Sequence, residues 1–351
     1  INNKKKHLLL ATAILVSSHT FANKTITLPE DTTKVIDIEE VVVIASPKET
    51  GKLRQLPTSV SLISQKDMQA HRITSLKSVS NIIPNFFMPD YGSRLTSAMY
   101  IRGIGSRINT PAVGMYVDNI PYIEKSAFDF NFYDIERIDI LRGPQATLYG
   151  RNTMGGLVKV HTRSPFSYQG TDLKLGYGTK SNERSVSLTH YHRPSERFAF
   201  STGGYYEGSD GFFTNSFLNK KVDDRQAGGG RIRAIWFASD QWKLDFNVNY
   251  DYTDEGGYPY YNEENQIAYN RESSYRRSLL NTGLNIEHQA ENFIFNAVTG
   301  FQHLNDRMFM DQDFSSADTY TIEQKQRINS ISEEISFKSK AGKRWQWTTG
   351  A

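Results

Sequence analysis

The sequence predicts a compact α/β domain followed by antiparallel strands of a transmembrane β-barrel, with the barrel incomplete in this chain. Three observations lead there. They are an export signal at the N-terminus, a glycine-punctuated mixture of helices and short strands over residues 56–165, and a period-two alternation from Thr171 onward.

Lys4, Lys5 and Lys6 precede a short apolar stretch, Leu8 to Val16, and Thr20-Phe21-Ala22 supplies small residues for cleavage. This three-part pattern is that of a cleaved signal peptide over residues 1–22. The apolar run is too short for a spanning helix, which needs about 20 residues. Ile1 stands where a start Met is usual. No later segment reads as a spanning helix, so a membrane crossing would have to use strands.

Composition removes several functional classes. Net charge is +3 and no basic stripe stands out, so no nucleic-acid partner is expected. Cysteine is absent, which excludes disulfides, thiolate metal sites and a lipidated N-terminal Cys. The 8 histidines and 38 carboxylates show no metal-ligand spacing. No Ser nucleophile elbow, HExxH or convincing carboxylate pair is present, so a secreted β-rich enzyme is disfavoured and the chain reads as a non-enzyme.

Residues 23–55 are polar around Val41-Val42-Val43-Ile44, and Pro47 and Gly51 mark an irregular, jointed arm. In residues 56–165, Ser59–Ser64 alternate as a strand. Ser64 caps a helix beginning Gln65-Lys66-Asp67-Met68, and Asp67 completes a capping box. A second helix is predicted from Ser75 through Leu76 and Val79 to Ile82, stopped by Pro84. Short strands follow at Ala98–Arg102, Val113–Val117, Ile135–Arg142 and Leu157–Thr162.

The period-two pattern is clearest at Trp242–Tyr252. There Trp242, Leu244, Phe246, Val248, Tyr250 and Tyr252 share one face, and Lys243, Asp245, Asn247, Asn249 and Asp251 the other. Phe293, Phe295, Ala297, Thr299 and Phe301 repeat it. A soluble β-sandwich alternates too, but it has no reason to sort its connections by length. Here short links near residues 193–196, 239–241, 289–292 and 341–344 alternate with long ones near 208–228, 253–277 and 305–325, apart from a short first loop near 179–183. Outer-membrane barrels have short periplasmic turns and longer outer loops. About nine strands are expected over residues 166–351. A plugged transporter closes with about 22, so the sheet is expected to be incomplete.

Two segments carry functional signals. Ile38-Glu39-Glu40-Val41-Val42-Val43-Ile44-Ala45 is a β-branched run on the arm, suited to strand addition at another protein's sheet edge or to a simple buried strand. The stretch Leu141 to Gly156 contains Arg142, Gly143, Pro144, Gly150, Gly155 and Gly156. It is no phosphate loop, because six residues separate Gly143 and Gly150 and Arg151-Asn152 replaces Lys-Ser/Thr. Arg102-Gly103-Ile104-Gly105 is likewise no dinucleotide fingerprint, because Ile108 takes the third glycine position.

These stretches, with Leu56-Pro57-Thr58-Ser59-Val60, Val113-Gly114-Met115-Tyr116-Val117-Asp118 and Val158-Lys159-Val160-His161-Thr162, resemble the TonB-dependent outer-membrane receptors of ferric-siderophore type. The resemblance covers the signal, the TonB box at Ile38–Ala45, the plug and the first barrel strands. It implies active import of a scarce nutrient, often a ferric siderophore, by a receptor in the outer membrane of a Gram-negative bacterium, driven by TonB and its inner-membrane complex. A cobalamin-like or carbohydrate cargo, or a truncated inactive chain, are the alternatives.

The resemblance also implies no covalent cofactor and places Arg102 and Arg142 opposite wall carboxylates such as Glu334; internal stabilisation of the plug is the alternative role for both. The plug-apex segments and one outer loop implied by the resemblance contain Tyr91, Arg94, Arg107, Asn109, Phe128, Tyr258 and Tyr260, which are the expected ligand contacts. His190 and His192 share a strand face as a metal pair or, more simply, as solvated side chains. Asp311 and Asp313 read as loop solubility.

Overall fold

The computed structural model describes residues 59–108, 110–340 and 344–351. The signal segment, Ile38–Ala45, Leu56-Pro57-Thr58 and Asn109 lie outside the described residues.

The first part of the chain forms an α/β domain. Strand β1 (Ser59–Ser64) runs directly into helix α1 (Gln65–Ala70). The capping box is present: Ser64 Oγ accepts from the Asp67 amide at 3.2 Å, and the Asp67 carboxylate accepts from the Ser64 amide at 2.9 Å. The second helix, α2 (Leu76–Val79), is shorter than predicted. Its turn breaks at Ser80-Asn81, where polar side chains favour turns over helix. Small strands β2 (Phe86–Phe87), β3 (Tyr100–Ile101) and β4 (Ile104–Gly105) pair beside it.

A five-stranded sheet forms the centre. It contains β1, β5 (Val113–Val117), β6 (Ile120–Tyr122), β7 (Ile135–Arg142) and β8 (Gly156–Thr162), in the order β1-β7-β8-β5-β6. Only β5 and β8 run parallel. Ile63, Leu76, Ile101, Met115, Ile138 and Val160 are among the buried side chains that fill its core.

The strand expected over Ala98–Arg102 ends at Ile101. Arg102 and Gly103 take positive φ of 52° and 80° and turn the chain into β4. Two left-handed residues between paired strands form the turn that suits a tight hairpin. Arg102 is therefore exposed at a turn, not buried as expected.

From Gly170 the chain forms a nine-stranded antiparallel sheet. In chain order these are β9 (Gly170–Gly178), β10 (Glu183–Ser195), β11 (Phe198–Ser209), β14 (Arg225–Phe237), β15 (Trp242–Glu255), β16 (Ser274–Gln289), β17 (Phe293–Asp311), β18 (Thr321–Ser339) and β19 (Thr348–Gly350). Each strand pairs with the next in this series, and the sheet is open. The small hairpin β12 (Thr214–Asn215) with β13 (Lys220–Lys221) sits in the connection after β11. All three long connections are shorter than predicted: 210–224 after β11, 256–273 after β15 and 312–320 after β17. The ladders run on through polar pairs such as Asp306 with Gln326 and Arg307 with Lys325. Backbone pairing needs no apolar face, so hydrophobic alternation underestimates strand length there.

The wall is inside-out. Along β15, Phe246 is 44% exposed while Asp251 is 1% exposed, and Asp245, Asn247 and Asn249 are buried with it. Leu173, Leu175, Leu188, Ile232, Trp236, Tyr250 and Tyr252 also lie on the exposed face. A sandwich in water would bury this apolar face. Here the polar face is buried against the α/β domain, and the apolar face is turned to an apolar solvent, the arrangement of a lipid-facing wall.

Replacing Ile232 by Arg tests this assignment. In the bilayer it is expected to cost about 2–4 kcal/mol near mid-depth, read as a lower urea midpoint in lipid vesicles. In a water-exposed sheet the same change leaves the midpoint unmoved.

Candidate functional site

The inner face of the wall holds the α/β domain through charges that neither element could bury alone. On β14, Arg231 pairs with Asp134 of the domain. Arg233, two residues on, grips Asp245 of β15 at 2.7 and 3.0 Å, reaches Asp118 at 3.3 Å and donates to Thr162 Oγ1 at 2.8 Å. On β16, Arg277 is 1% exposed; it pairs with Asp251 and donates to the carbonyls of Ser126 and Asp129. Asn285 donates to the Asp118 carbonyl, and Tyr116 donates to Glu334 at 3.1 Å. The β5–β6 hairpin fits where the wall lacks side chains: a Cβ at Gly283 would overlap Ile120, and one at Gly300 would crowd it. Isolated buried charges are costly, so each of these partners stabilises the other's position.

Arg94, expected to contact ligand, is 6% exposed and faces the wall. Its guanidinium meets Glu207 at 2.7 Å, Thr253 Oγ1 at 3.2 Å and Glu255 at 3.6 Å, and its amide donates to Glu255 at 2.8 Å. Asp129 lies 3.9 Å away on its other side and bonds Lys77 at 3.1 Å. Burial alone would raise the Asp129 carboxyl; Lys77 and Arg94 outweigh it and hold it at about 2. Lys77 also reaches the exposed Asp90 at 3.2 Å. Charge contacts therefore run from the exposed Asp90 through Lys77 and Asp129 to Arg94 and the wall acids.

Segment 90–95 is joined to the connection after β15. Tyr258 donates its amide to the Gly92 carbonyl and shares a 2.8 Å hydroxyl bond with Ser93; Tyr260 donates its hydroxyl to the Tyr91 carbonyl at 2.6 Å. Tyr258 is buried by this contact, so it fastens a loop and presents little surface. Tyr91, Tyr100, Tyr260 and Arg107 form the accessible group. Arg107 lies over the Tyr91 ring at 4.5 Å, the hydroxyls of Tyr91 and Tyr100 are 3.3 Å apart, and Phe314 packs on Tyr260. Phenol rings beside an exposed guanidinium can stack on a flat ring and pair with an anion.

The remaining expected residues fall elsewhere. Phe128 is 1% exposed in the domain core and has no surface to offer a ligand. Arg142 donates to the Pro84 carbonyl at 3.0 Å. Residues 143–155 form the connection between β7 and β8, with a short helix over Ala146–Tyr149. The Gly143 amide bonds the Gly155 carbonyl, Gly150 takes φ 67°, and a Cβ on Gly156 would overlap the Leu141 carbonyl. Pro144 lies within this connection, so the glycine-rich motif builds the domain's fold. His190 and His192 stack on the outward face of β10, and the described residues contain no group of three metal-ligating side chains. Asp311, expected to be a solubilising loop residue, is 1% exposed and accepts from the amides of Asn270 and Arg271. Asp313 accepts from the Ser315 hydroxyl at 2.8 Å and from the amides of Ser315, Thr319 and Tyr320, and these bonds hold its carboxyl at about 2.

Arg231, Arg233 and Arg277 do not stand out in the sequence as functional residues. Their signal was an arginine at an inward position of an alternating strand, where only a buried partner makes it tolerable.

The family model of the TonB-dependent receptor plug domain matches residues 52–157. That stretch is a TonB-dependent receptor plug domain, and the chain as a whole is similar to such receptors. Over 151 residues it is 26% identical to the pesticin receptor of Yersinia pestis, covering 42% of this chain and 22% of that protein. It is also 26% identical over 288 residues to a vitamin B12 transporter of Vibrio vulnificus, covering 76% and 44%. With the ferrioxamine B receptor of Salmonella typhimurium, identity is 26% over 243 residues, covering 65% and 32%. The chain thus spans less than half the length of these relatives. Its fold matches the ferric yersiniabactin uptake receptor of Yersinia pestis with a TM-score of 0.75 at 18% identity, covering 84% of this chain and 47% of that one. The α/β domain is the plug, and the nine strands match part of the receptor's wall.

Two outcomes test the charged seat. Arg94→Ala leaves Asp129, Glu207 and Glu255 short of a cation and is expected to cost the plug about 3–5 kcal/mol, read as earlier urea-induced trypsin cleavage within residues 59–165. For Asp129, the folded carboxyl lies below its unfolded value of about 3.9. Its contribution is therefore complete above that pH and is lost as pH falls toward 2. Asp129→Asn is expected to flatten the plug's stability between pH 5 and pH 2; an unchanged slope contradicts this role.

Proposed function

We propose that the intact protein imports an iron chelate across the outer membrane of a Gram-negative bacterium, powered through TonB. The observation that carries this reading is a polar plug seated by buried ion pairs on an inside-out wall. A plug held largely by charges is stable at rest, yet it can be displaced by a pull, because much of its seat is polar contact, beside the smaller apolar patch where Leu279 and Leu304 of the wall join its core. The apex group of Tyr91, Tyr100, Arg107 and Tyr260 suits an anionic, ring-bearing chelate. Similarity to receptors named for ferrioxamine B and for ferric yersiniabactin supports that cargo class.

In this reading residues 1–22 are a cleaved signal, 23–55 the periplasmic arm, 56–165 the plug and 166–351 the first wall strands. Ile38–Ala45 is the TonB box, which adds a strand to TonB through main-chain hydrogen bonds. The outward face of the wall meets outer-membrane lipid. A cobalamin-like cargo is the second reading, favoured by the similarity to a vitamin B12 transporter over 76% of this chain.

Growth on one nutrient at a time tests both readings. Cells with and without the intact gene are supplied with ferric yersiniabactin, ferrioxamine B or other single ferric siderophores, or with cobalamin where it is required. Growth on one ferric chelate is expected to be lost on gene deletion and on Val43→Pro, since proline cannot donate to an added strand. Arg107→Ala is expected to weaken binding of that chelate about tenfold, in line with a desolvated cation–π contact. Dependence on cobalamin alone would transfer the assignment to the second reading. Growth indifferent to both gene and box would end the import proposal.

A further inference from the structure

Three connections of the wall meet at the loop-side end of β17. The one after β11 joins the one after β15 through Asn215, which donates to the Tyr269 carbonyl at 2.8 Å. The one after β15 joins β17, because the amides of Asn270 and Arg271 donate to Asp311 Oδ2 at 3.1 and 3.0 Å. The Asn270 amide also reaches the Ser315 carbonyl, in the connection after β17, at 3.1 Å. Phe314 of that connection packs on Tyr260, one of the accessible apex rings.

This junction leaves negative charge uncompensated. Asp311 is 1% exposed, and its second carboxylate oxygen, Oδ1, is buried with no hydrogen-bond partner. The side-chain oxygen of Asn270 is buried and equally without a partner. The cations at hand are committed elsewhere: Arg271 pairs with Asp318 at 2.7 Å, and Lys220 pairs with Glu272. Among the described residues no cation pairs with Asp311. Burial, followed by the negative charges of Asp223, Asp311 and Glu272, pushes the neighbouring Tyr269 hydroxyl up. Acids from two connections and from β17 therefore act on one point.

A buried carboxylate without a cation is costly. Two unpaired acceptor oxygens cannot bond each other, so a positive species beside them removes both deficits. Both atoms are hard oxygens, of the kind that select calcium or magnesium over transition metals. Calcium accepts carboxylate, amide oxygen, backbone carbonyls and water in irregular geometry, whereas magnesium demands a near-ideal octahedron. A site with so little ligand charge is weak, with a Kd on the order of 0.1–1 mM, the range of extracellular modules.

We propose that this junction is a calcium site. Asp311 Oδ1 and Asn270 Oδ1 are its side-chain ligands, backbone carbonyls and water complete the shell, and the ion clamps the connections after β15 and β17 together. The site uses neither cargo nor TonB, so it stands or falls apart from the import reading.

Terbium, a calcium mimic that emits when a nearby tyrosine is excited, tests the site beside Tyr269. Intact receptor in detergent is stripped with a chelator and titrated with terbium chloride. Emission is expected to appear, to be competed by calcium far better than by magnesium, and to fall at least tenfold in Asp311→Asn, which keeps an oxygen for the two amides. Asn270→Ala keeps its backbone amide and is expected to weaken calcium competition about tenfold through loss of one ligand. Glu264→Gln, at an exposed acid of the same connection, is expected to change nothing. Calcium is also expected to slow tryptic cleavage after Arg271 at least fivefold, and not in Asp311→Asn.

Emission retained in both Asp311→Asn and Asn270→Ala overturns the proposal. So does equal competition by magnesium, or an equal loss in Glu264→Gln, which would mean diffuse attraction to acidic loops. Cleavage slowed by lowering the pH from 8 to 5 and not by calcium would place a proton between the two oxygens, and overturns it too. If Asp311→Asn fails to fold, Asn270→Ala decides.

Discussion

Buried guanidinium groups organise this molecule. A strand that faces lipid on one side must turn its polar residues to the other, and that inner face is then dry only if each charge meets a partner. Arg231, Arg233 and Arg277 project from the wall into the plug, and Arg94 projects from the plug into the wall. Their partners include carboxylates and backbone carbonyls contributed by the opposite element. Neither the plug surface nor the inner wall is a satisfied surface by itself. Each is completed by the other, so plug and wall specify one another through charge and hydrogen bonding.

That choice of contact bears on movement. An apolar interface of the same size would resist separation until water could wet it. A charged interface exchanges protein partners for water when it opens, and the net difference is small compared with either term alone. The glycines at 283 and 300 let the β5–β6 hairpin approach the wall backbone closely.

Much of this architecture was legible in the sequence, because period two and link length are local signals. The alternation at Trp242–Tyr252 identified a two-faced strand, and the short-and-long rhythm of connections chose a barrel wall over a sandwich. The Ser64–Asp67 capping box was equally plain, since its partners are three residues apart. What was not legible depends on distant partners. Arg94 looked like an apex ligand contact, yet Glu207 and Glu255 claim it from more than a hundred residues away. Phe128 shared an apex segment with polar neighbours, but its ring turns into the core. Asp311 sits at the end of β17, where nothing in the local sequence shows that the loop amides of Asn270 and Arg271 fold back onto it. Strand ends were misjudged for a related reason, because β17 and β18 continue as a polar ladder beyond the apolar band.

The central claim is that the greasy face of the wall meets lipid and its polar face meets the plug. Spin labels on adjacent residues test it most directly: Phe246→Cys and Asn247→Cys, each labelled separately in intact receptor in bilayers. The account predicts that the label at 246 collides readily with dissolved oxygen and not with an aqueous nickel chelate. The label at 247 is predicted to be immobile and hidden from both. A label at 246 that is hidden from both, beside one at 247 that collides freely with the nickel chelate, would contradict the account and describe a water-soluble sheet.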